Sequence, residues 1–466
     1  MLKIALINSP QFTRYPQPPM GLATIAAVLE KEGHRVTIID AGALRLNPQD
    51  LASMVTDTDI VGFTATTPNV SIAINAASHL KRANPRLTII LGGAHATLLP
   101  EETLAKAPEI DIIVRGEGEE TSVELLRALE SRRPLETIAG ISYRIDDSIV
   151  SNENRSSTVD IDSLPFLAYH LLPLKKYRPY PPHGRRSPYA AIITSRGCPY
   201  HCAYCSKPIF GNNFRAQSPE RVIAEIAYLK ERFGVNELAF YDDVFTLNKQ
   251  RAYDIAEGMI EKGLTLPWTC ETRVNLVDRE LLLRMKQAGC YAISYGIESA
   301  SEEIRNMLHK DITQEQIERA VRLTHEAGIQ AIGYLMIGSP GETSQTIIST
   351  VELTKKLKLD FAQFAITIPF PSTELYTLYL QEGHDSIPWE SLVYYATDNP
   401  TTPVFESSHL SRRDLSYWAR RAQQDFYLRP SYIWQRIQSI KSLRDLKVNL
   451  NGLLILLKSI NPLAGK

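Results

Sequence analysis

The chain has 466 residues, a length that predicts two domains and an additional segment. Its 51 lysines and arginines balance 52 aspartates and glutamates, so the net charge of −1 gives no indication of a nucleic-acid-binding surface. No apolar run approaches the ~20 residues that span a bilayer. The N-terminus enters a strand-like run without a cleavage site, and we therefore expect a cytoplasmic protein.

Residues 1 to about 135 alternate short aliphatic runs with segments of helical period. This pattern predicts a doubly wound, flavodoxin-like parallel sheet over residues 1–140, with a ligand at the carboxyl ends of its strands. The predicted strands are Ile4–Ile7, Val36–Ile39, Ile60–Phe63, Leu87–Leu91 and Ile110–Val114, and the predicted helices include Leu22–Lys31, Ser71–Ala83 and Thr121–Leu129.

Four loops rich in glycine, proline and hydroxyl residues fall on that edge, at residues 9–21, 64–69, 92–97 and 115–119. Glycine pairs let the backbone approach a bulky ligand, and hydroxyl-rich turns can hydrogen-bond to a ligand that carries amides. The alternative is that each loop only turns the chain. Because all four loops share one edge, we favour a ligand site.

A connector is predicted over residues 141–187. It begins with a hairpin around Asp146 and continues in a stretch rich in proline, serine, arginine and tyrosine, with weak periodicity. We interpret this stretch as a linker. The alternative is that the segment Tyr177–His183 packs over an active site.

Cys198, Cys202 and Cys205 form the most distinctive motif of the chain. Three thiolates at this spacing can wrap one loop around a cubic iron–sulfur cluster and leave the fourth iron without a protein ligand. A zinc site would need a fourth nearby ligand, whereas the two other cysteines, Cys270 and Cys290, lie in distant apolar runs. A disulfide framework is disfavoured because five cysteines are sparse and odd in number.

From residue 188 to 380, strands and helices alternate again and predict a partial (β/α)6 barrel, with its chemistry at the carboxyl ends of the strands. Polar groups follow these strands, among them Asp242, Asp243, Glu271, Arg273 and Glu298. The carboxylates would accept hydrogen bonds from donors of a ligand, or the charged groups would form an ion network that caps the barrel. The predicted strands are Ala190–Thr194, Leu238–Tyr241, Trp268–Glu271, Ala292–Gly296, Ala331–Ile337 and Ala362–Thr367.

The last segment, residues 381–466, is predicted to form a helical cap over the barrel opening. Arginines and aromatic residues accompany its helices, and the apolar run Leu453–Leu457 lies behind them. A substrate lid or a peripheral contact with a membrane surface is the alternative.

The cysteine spacing, with Tyr204 just before the third cysteine, resembles the signature of the radical SAM superfamily. The resemblance implies that Cys198, Cys202 and Cys205 hold a catalytic [4Fe-4S] cluster. Its open iron would chelate S-adenosylmethionine (SAM), which one electron cleaves to a 5′-deoxyadenosyl radical. It also implies that Glu298 lies at the SAM ribose, Tyr204 against the adenine, and Arg273 at the SAM carboxylate or on the cobalamin side.

The first domain resembles the cobalamin-binding domain that precedes many radical SAM enzymes. The shared features are Pro19-x-Gly21, Gly33-His-x-Val36, Asp40, Gly92-Gly93 and Gly116-Glu-Gly-Glu119. The Asp-x-His-x-x-Gly motif that supplies a cobalt ligand in many mutases is absent, and His95 is not nominated as a ligand. The resemblance implies cobalamin contacts from Gly21, Thr64, Gly92, Gly93, Gly116 and Glu117.

The expected function is methyl transfer from methylcobalamin to an unactivated carbon of a small-molecule or lipid-like substrate. An external electron donor such as flavodoxin or ferredoxin would reduce the cluster. The runner-up is radical cyclisation or oxidation of the oxygen-independent magnesium-protoporphyrin cyclase type, without methyl transfer. An alternative of another class is a cobalamin or iron–sulfur sensor, although a sensor has no need of an open iron.

Overall fold

The computed structural model describes residues 1–10, 15–146, 148–156, 159–177, 184, 186–392, 405–407, 409–438, 440 and 450. The strands of the first sheet are β1 (Lys3–Asn8), β2 (Arg35–Asp40), β3 (Ile60–Thr64), β4 (Thr88–Gly92), β5 (Ile112–Val114), β6 (Ile141–Ile145) and β7 (Ser148–Ser151). They pair in the order β2-β1-β3-β4-β5-β6-β7. The first five strands are parallel, as predicted, while β6 and β7 are antiparallel.

The hairpin of β6 and β7 differs from its predicted place in the connector. Val114 of β5 pairs with Ile141, so the hairpin extends the first sheet and covers an edge that β5 would otherwise expose. The boundary predicted at residue 140 therefore falls inside this sheet. We propose a domain boundary after Ser151 instead.

Alternation along β1 places helices on both faces of the first sheet. Ile4 and Leu6 belong to one apolar cluster, whereas Ala5 and Ile7 belong to another, because successive strand side chains point to opposite faces. The helices are α1 (Met20–Lys31), α2 (Ala41–Leu44), α3 (Leu51–Met54), α4 (Val70–Ala83), α5 (Ala94–Leu98), α6 (Pro100–Lys106) and α7 (Gly118–Ser131).

The second domain contains β8 (Tyr189–Ile192), β9 (Ser195–Arg196), β10 (Arg215–Ala216), β11 (Glu237–Phe240), β12 (Trp268–Thr272), β13 (Cys290–Glu298), β14 (Gln330–Ile337) and β15 (Phe361–Ile366). Six of these strands form a parallel sheet in the order β15-β14-β13-β12-β11-β8, and β9 and β10 form a separate antiparallel ribbon. This is the predicted partial barrel. Its helices are α8 (Pro219–Phe233), α9 (Lys249–Glu261), α10 (Arg279–Gln287), α11 (Glu302–Met307), α12 (Gln314–Glu326), α13 (Ser344–Lys356) and α14 (Glu374–Gln381).

The connector joins the two domains through buried contacts. The Ala168 amide donates to the Ala23 carbonyl of α1 at 3.1 Å, and the Tyr169 hydroxyl donates to the Ala191 carbonyl of β8 at 3.2 Å. One apolar cluster contains residues of α1, of the connector and of the barrel. The connector is therefore a packed element over residues 168–177. Most of the Tyr177–His183 segment lies outside the described residues.

After the barrel come α15 (Arg412–Tyr427) and α16 (Pro430–Gln438). Helix α15 packs on α13 and β15, where Trp418 Nε1 donates to Ser344 Oγ at 3.0 Å and the Tyr427 hydroxyl donates to the Ala362 carbonyl at 2.8 Å. The run Leu453–Leu457 lies outside the described residues. No helix in the described part of the chain is long and apolar enough to cross a membrane.

Candidate active site

Cys198, Cys202 and Cys205 follow the β9 ribbon and line one cavity of about 610 Å³ at the carboxyl end of the barrel. Lys207 fixes their loop, because its ammonium group donates to the carbonyls of Cys198, at 2.8 Å, and of Tyr200. The loop enters through Gly197, whose φ of +81° and close approach to the Asn213 carbonyl leave no room for a Cβ. The cysteine loop is therefore held by the backbone around it.

The three cysteines line one cavity, and this is compatible with a cubic cluster. No three His, Cys, Asp or Glu side chains of the described residues are grouped to hold a single metal ion. A cubane binds its three thiolates through three different irons, so its ligands need not converge on one point. Burial raises the pKa of Cys198 and raises that of Cys205 to about 11, so cluster binding must release thiol protons. Cys270 and Cys290 are buried in β12 and β13.

Glu298, Tyr204 and Lys310 form a hydrogen-bonded group beside the cysteines. The Tyr204 hydroxyl and Lys310 Nζ each donate to Glu298 Oε1 at 2.8 Å, and Lys310 Nζ lies 3.2 Å from the Tyr204 hydroxyl. Burial raises the pKa of Tyr204, so it stays a neutral donor. The structure thus brings together the two predicted residues Tyr204 and Glu298, and adds Lys310, which the sequence prediction did not include.

The backbone at the end of β13 makes this group possible. The register with β14 shifts between Gly296 and Glu298, and Glu298 has a φ of +66°. A Cβ on Gly296 would lie 2.5 Å from both Glu298 Oε1 and Lys310 Nζ. A side chain at position 296 would therefore collide with the Glu298–Lys310 ion pair, which lies directly over Gly296.

Arg273 lines the same cavity but contacts the cysteine loop. Its Nη1 lies 3.7 Å from Cys202 Sγ, its guanidinium lies 3.7 Å from the centre of the Tyr200 ring, and its Nη2 donates to the Lys310 carbonyl. Arg273 forms no ion pair with Asp243 or with Glu271. These three residues therefore do not form the ion network that was the alternative prediction.

The carboxylates at the strand ends divide into two kinds. Asp242 is fully enclosed and accepts hydrogen bonds from the amides of Thr194 and Ser195, at 2.5 Å and 2.8 Å, so it supports the strand that leads to the cysteines. Asp243 and Glu271 line the cavity, and burial raises the pKa of both. Tyr334 donates to Glu271 at 2.9 Å.

A second cavity of about 320 Å³ lies at the carboxyl edge of the first sheet, and we call it the glycine cavity. A Cβ on Gly21 or Gly116 would meet no atom within 4 Å, and one on Gly92 would meet only carbonyl oxygens at 3.6 Å and beyond. This glycine-lined space fits the approach of a large planar cofactor to the backbone. All six residues nominated for cobalamin line it, namely Gly21, Thr64, Gly92, Gly93, Gly116 and Glu117.

Glu117 makes a contact that the sequence did not predict. Both of its carboxylate oxygens pair with arginines of the β9–β10 ribbon, Oε2 with Arg196 at 2.5 Å and Oε1 with Arg215. Arg196 lines the glycine cavity as well, and it was missed because nothing in its local sequence distinguishes it from a surface arginine.

His95 follows the Gly92-Gly93 pair but does not line either of the two cavities. Its ring is buried and lies 4.8 Å from the Trp389 ring, and its Nδ1 lies 3.2 Å from Thr67 Oγ1. Burial lowers the pKa of His95 to about 4. It is therefore a neutral core residue, which agrees with its omission from the nominated cobalt ligands.

A doubly wound domain with a glycine cavity, followed by a partial barrel with three cysteines in one loop, is the architecture of an α/β enzyme with two ligand cavities at the carboxyl ends of its strands. The family model described as "Radical SAM superfamily" matches residues 192–354 of the sequence, and the family model described as "B12 binding domain" matches residues 13–126. The chain belongs to the family of radical SAM proteins with a B12-binding domain, whose members include proteins named as methyltransferases and as cyclases. The radical SAM domain implies a [4Fe-4S] cluster and SAM, and the B12-binding domain implies cobalamin.

Relatives and solved structures agree with this assignment. An "Uncharacterized methyltransferase PH0819" of Pyrococcus horikoshii is 38% identical over 89% of this chain and 89% of its own. The "Anaerobic magnesium-protoporphyrin IX monomethyl ester cyclase" of Cereibacter sphaeroides is 31% identical over 90% of this chain and 69% of its own. The radical SAM methyltransferase TsrM from Kitasatospora setae, solved with cobalamin and a [4Fe-4S] cluster, has the same fold, with a TM-score of 0.69 and 20% identity over 82% of this chain and 75% of its own.

Proposed function

We propose that the protein methylates an unactivated carbon of a small-molecule or lipid-like substrate. The observation that carries the proposal is that residues of both domains line each cavity. Pro68 of the first domain lines the cysteine cavity, and Arg196 and Phe210 of the second domain line the glycine cavity. Two cofactor sites closed by each other's domains can present two reagents to one substrate.

When bound, the cluster and SAM supply a carbon-centred radical, and cobalamin supplies the methyl group. The residues of the chain hold and orient these groups. Cys198, Cys202 and Cys205 would bind the cluster. Glu298, whose carboxylate is buried beside Lys310, would accept hydrogen bonds from the SAM ribose. Arg273 would face the SAM carboxylate.

The cysteine cavity has an apolar wall that would exclude water and contact an apolar part of the substrate. Leu335 and Met336 of β14 and Ile366, Ile368 and Phe370 at and after the end of β15 line this wall. A site closed to water strengthens the electrostatic contacts made inside it. Tyr334 and Glu271 face the same space and would orient a polar part of the substrate.

The glycine cavity would hold cobalamin against the backbone of Gly21, Gly92, Gly93 and Gly116, with Thr64 as a hydrogen-bonding group.

We propose the cytoplasm as the site of action and a flavodoxin or ferredoxin as the electron donor. On α16, Ile433, Trp434 and Ile437 are 45%, 62% and 53% exposed, which supports a peripheral contact with a lipid-like substrate phase. A relative named "Hopanoid C-3 methylase" acts on such a substrate.

The test is product analysis on protein reconstituted anaerobically with iron, sulfide and cobalamin, then reduced in the presence of SAM and a small-molecule extract. We expect four irons per chain, and 5′-deoxyadenosine and S-adenosylhomocysteine formed together. With methyl-deuterated SAM, one extract component should gain a labelled methyl group. Absence of any cluster would refute the proposal.

A second candidate is radical cyclisation or oxidation without methyl transfer, which the 31% identity to the magnesium-protoporphyrin cyclase favours. The same experiment separates the two reactions. A cyclase would form 5′-deoxyadenosine without S-adenosylhomocysteine, and its product would carry no methyl label.

A further inference from the structure

A buried network of four charged side chains joins the two domains. Arg196 Nη1 pairs with Glu117 Oε2 at 2.5 Å, and Arg196 Nη2 pairs with Glu119 Oε1 at 2.6 Å. Arg215 pairs with the second oxygen of Glu117. The side chains of Glu117, Glu119 and Arg196 are 4%, 7% and 11% exposed. The Arg215 side chain is 22% exposed, so two cations and two anions balance each other at a largely buried site that is open to water on the Arg215 side.

The network lies between the two proposed cofactor sites. Arg196 ends β9, two residues before Cys198, and Arg215 is its partner in the antiparallel ribbon. Glu117 and Glu119 stand at the start of α7, directly after Gly116, and line the glycine cavity. The cysteine loop is thus tied to the loop that lines the other cavity.

The geometry of the network fixes both distance and direction. A guanidinium is a rigid planar fork, so pairing it with two carboxylates sets its orientation, which a single ion pair would not do. A guanidinium is charged at any pH at which proteins are folded, so both ion pairs of Arg196 persist.

The connection from Arg196 to Cys198 is short and stiff. Only Gly197 lies between them, and it packs so closely on the Asn213 carbonyl that a Cβ would lie 2.2 Å from that oxygen. The backbone of Arg196 is therefore held in place beside the first cysteine, and the ion pairs of its side chain hold α7 against the cluster loop.

We propose that Arg196 is a positioning residue that sets the distance between the cluster held by the cysteines and the cobalamin held in the glycine cavity. The inference rests on the proposed function for the identity of the two groups. Arg196 acts through the backbone of the cysteine loop and through α7.

The test measures geometry directly. In enzyme reduced to hold both [4Fe-4S]⁺ and cob(II)alamin, each carries an unpaired electron, and their magnetic interaction reports the distance between them. Arg196→Gln should change this interaction, while iron content and the spectrum of each centre alone stay as in the wild type. The matched control is Arg127→Gln, which removes an exposed ion pair with Glu32 inside the first domain and should leave the interaction unchanged.

Product ratios give a second readout. Formation of 5′-deoxyadenosine without substrate needs only SAM and the reduced cluster, so Arg196→Gln should keep it within about twofold. Methyl transfer from SAM to cobalamin requires that the two cofactor sites lie close together, and its rate should fall about 10²-fold in Arg196→Gln. It is measured as S-adenosylhomocysteine formed after reduction with titanium(III) citrate. Arg196→Lys keeps the charge but loses the fork, and should give intermediate values.

If Arg196→Gln does not fold, Glu119→Gln replaces it, since that variant keeps the Glu117 pair and should shift the magnetic interaction by a smaller amount. An unchanged interaction and an unchanged product ratio in a folded variant would overturn the inference. Wild-type enzyme that never forms S-adenosylhomocysteine would refute methyl transfer, yet the magnetic measurement would still decide the positioning role.

Discussion

The two cavities are built from different parts of the chain. The cysteine cavity is lined by chemically distinctive side chains, three thiols, a buried Glu298–Lys310 pair and Arg273, which converge from several strand ends. Six glycines are among the residues that line the glycine cavity, and a Cβ on two of them, Gly21 and Gly116, would enter open space. A site of the first kind fails when atoms are removed, whereas one of the second kind fails when atoms are added.

The largest effect is expected from removal of one thiol. Cys202→Ala should abolish the cluster and all 5′-deoxyadenosine formation, because two cysteine ligands cannot hold a cubane with an open iron. Cobalamin binding should remain, since Cys202 lies outside the glycine cavity. The control is Cys270→Ala, a buried cysteine of β12, which should retain the cluster. Iron analysis and absorption spectra measure both, and cluster loss in the control would contradict the assignment.

The next largest effect is expected from the variant Lys310→Met. It leaves Glu298 buried without its counter-charge, and removing one partner of a buried ion pair costs about 3–5 kcal/mol of unfolding free energy. The variant should also need more SAM for half-saturation. Denaturant unfolding and SAM titration measure the two effects. Adding Glu298→Gln should recover part of the stability but not the SAM affinity, and recovery of both would remove Glu298 from the SAM site.

Lys310 shows what the sequence could not reveal. The three cysteines occupy one loop, and the glycine loops follow predicted strands, so both cavities were foreseeable from local patterns. Lys310 lies 106 residues from Tyr204, and Arg196 lies 79 residues from Glu117. The first pair depends on how loops of the barrel converge and the second on how the barrel lies against the first sheet, and no period or motif within a short window records either placement. The hairpin of β6 and β7 was misplaced for the same reason, since its partner β5 is a tertiary contact.

The two domains should also respond to pH in opposite directions. In the barrel, burial raises the pKa of Glu342 from 4.5 to about 7. The folded state therefore binds more protons than the unfolded state between those values, and stability should fall as pH rises through them, by about 3 kcal/mol. In the first domain, burial lowers the pKa of His95 from 6.5 to about 4, so stability should be lost as pH falls from about 6.5 to 4.

Unfolding free energies of Glu342→Gln and His95→Gln, each compared with the wild type at pH 5 and pH 8, check this contrast. Glu342→Gln should gain stability relative to the wild type at pH 8, and the gain should be smaller at pH 5. His95→Gln should lose most at pH 8, where neutral histidine packs against Trp389. If the unfolding free energies of a variant and of the wild type changed with pH by the same amount, the substituted residue would not be the source of the pH dependence.

In the glycine cavity, Gly93→Ala should reduce both stability and cobalamin binding. The residue has a φ of +96°, and an added Cβ would lie 2.6 Å from the Ala65 carbonyl oxygen and 2.8 Å from Thr64 Oγ1. The backbone conformation alone costs about 1–3 kcal/mol for a residue with a side chain. Gly33→Ala is the matched control, because its φ is +86° but its Cβ would meet nothing within 4 Å. It should share the backbone strain and keep cobalamin affinity.

The smallest effect is expected from Gly21→Ala, a variant in which cobalamin affinity and protein stability should change in opposite directions. Gly21 lies in the first turn of α1 and lines the glycine cavity, where its Cβ would meet no protein atom. Gly21→Ala should raise the free energy of unfolding by up to about 1 kcal/mol, because alanine is the better helix former. Cobalamin should nevertheless bind more weakly, since the methyl group occupies space that the cofactor would use. Titration of cobalamin against both proteins decides the point: equal affinity in a more stable variant would show that the cofactor does not reach the start of α1.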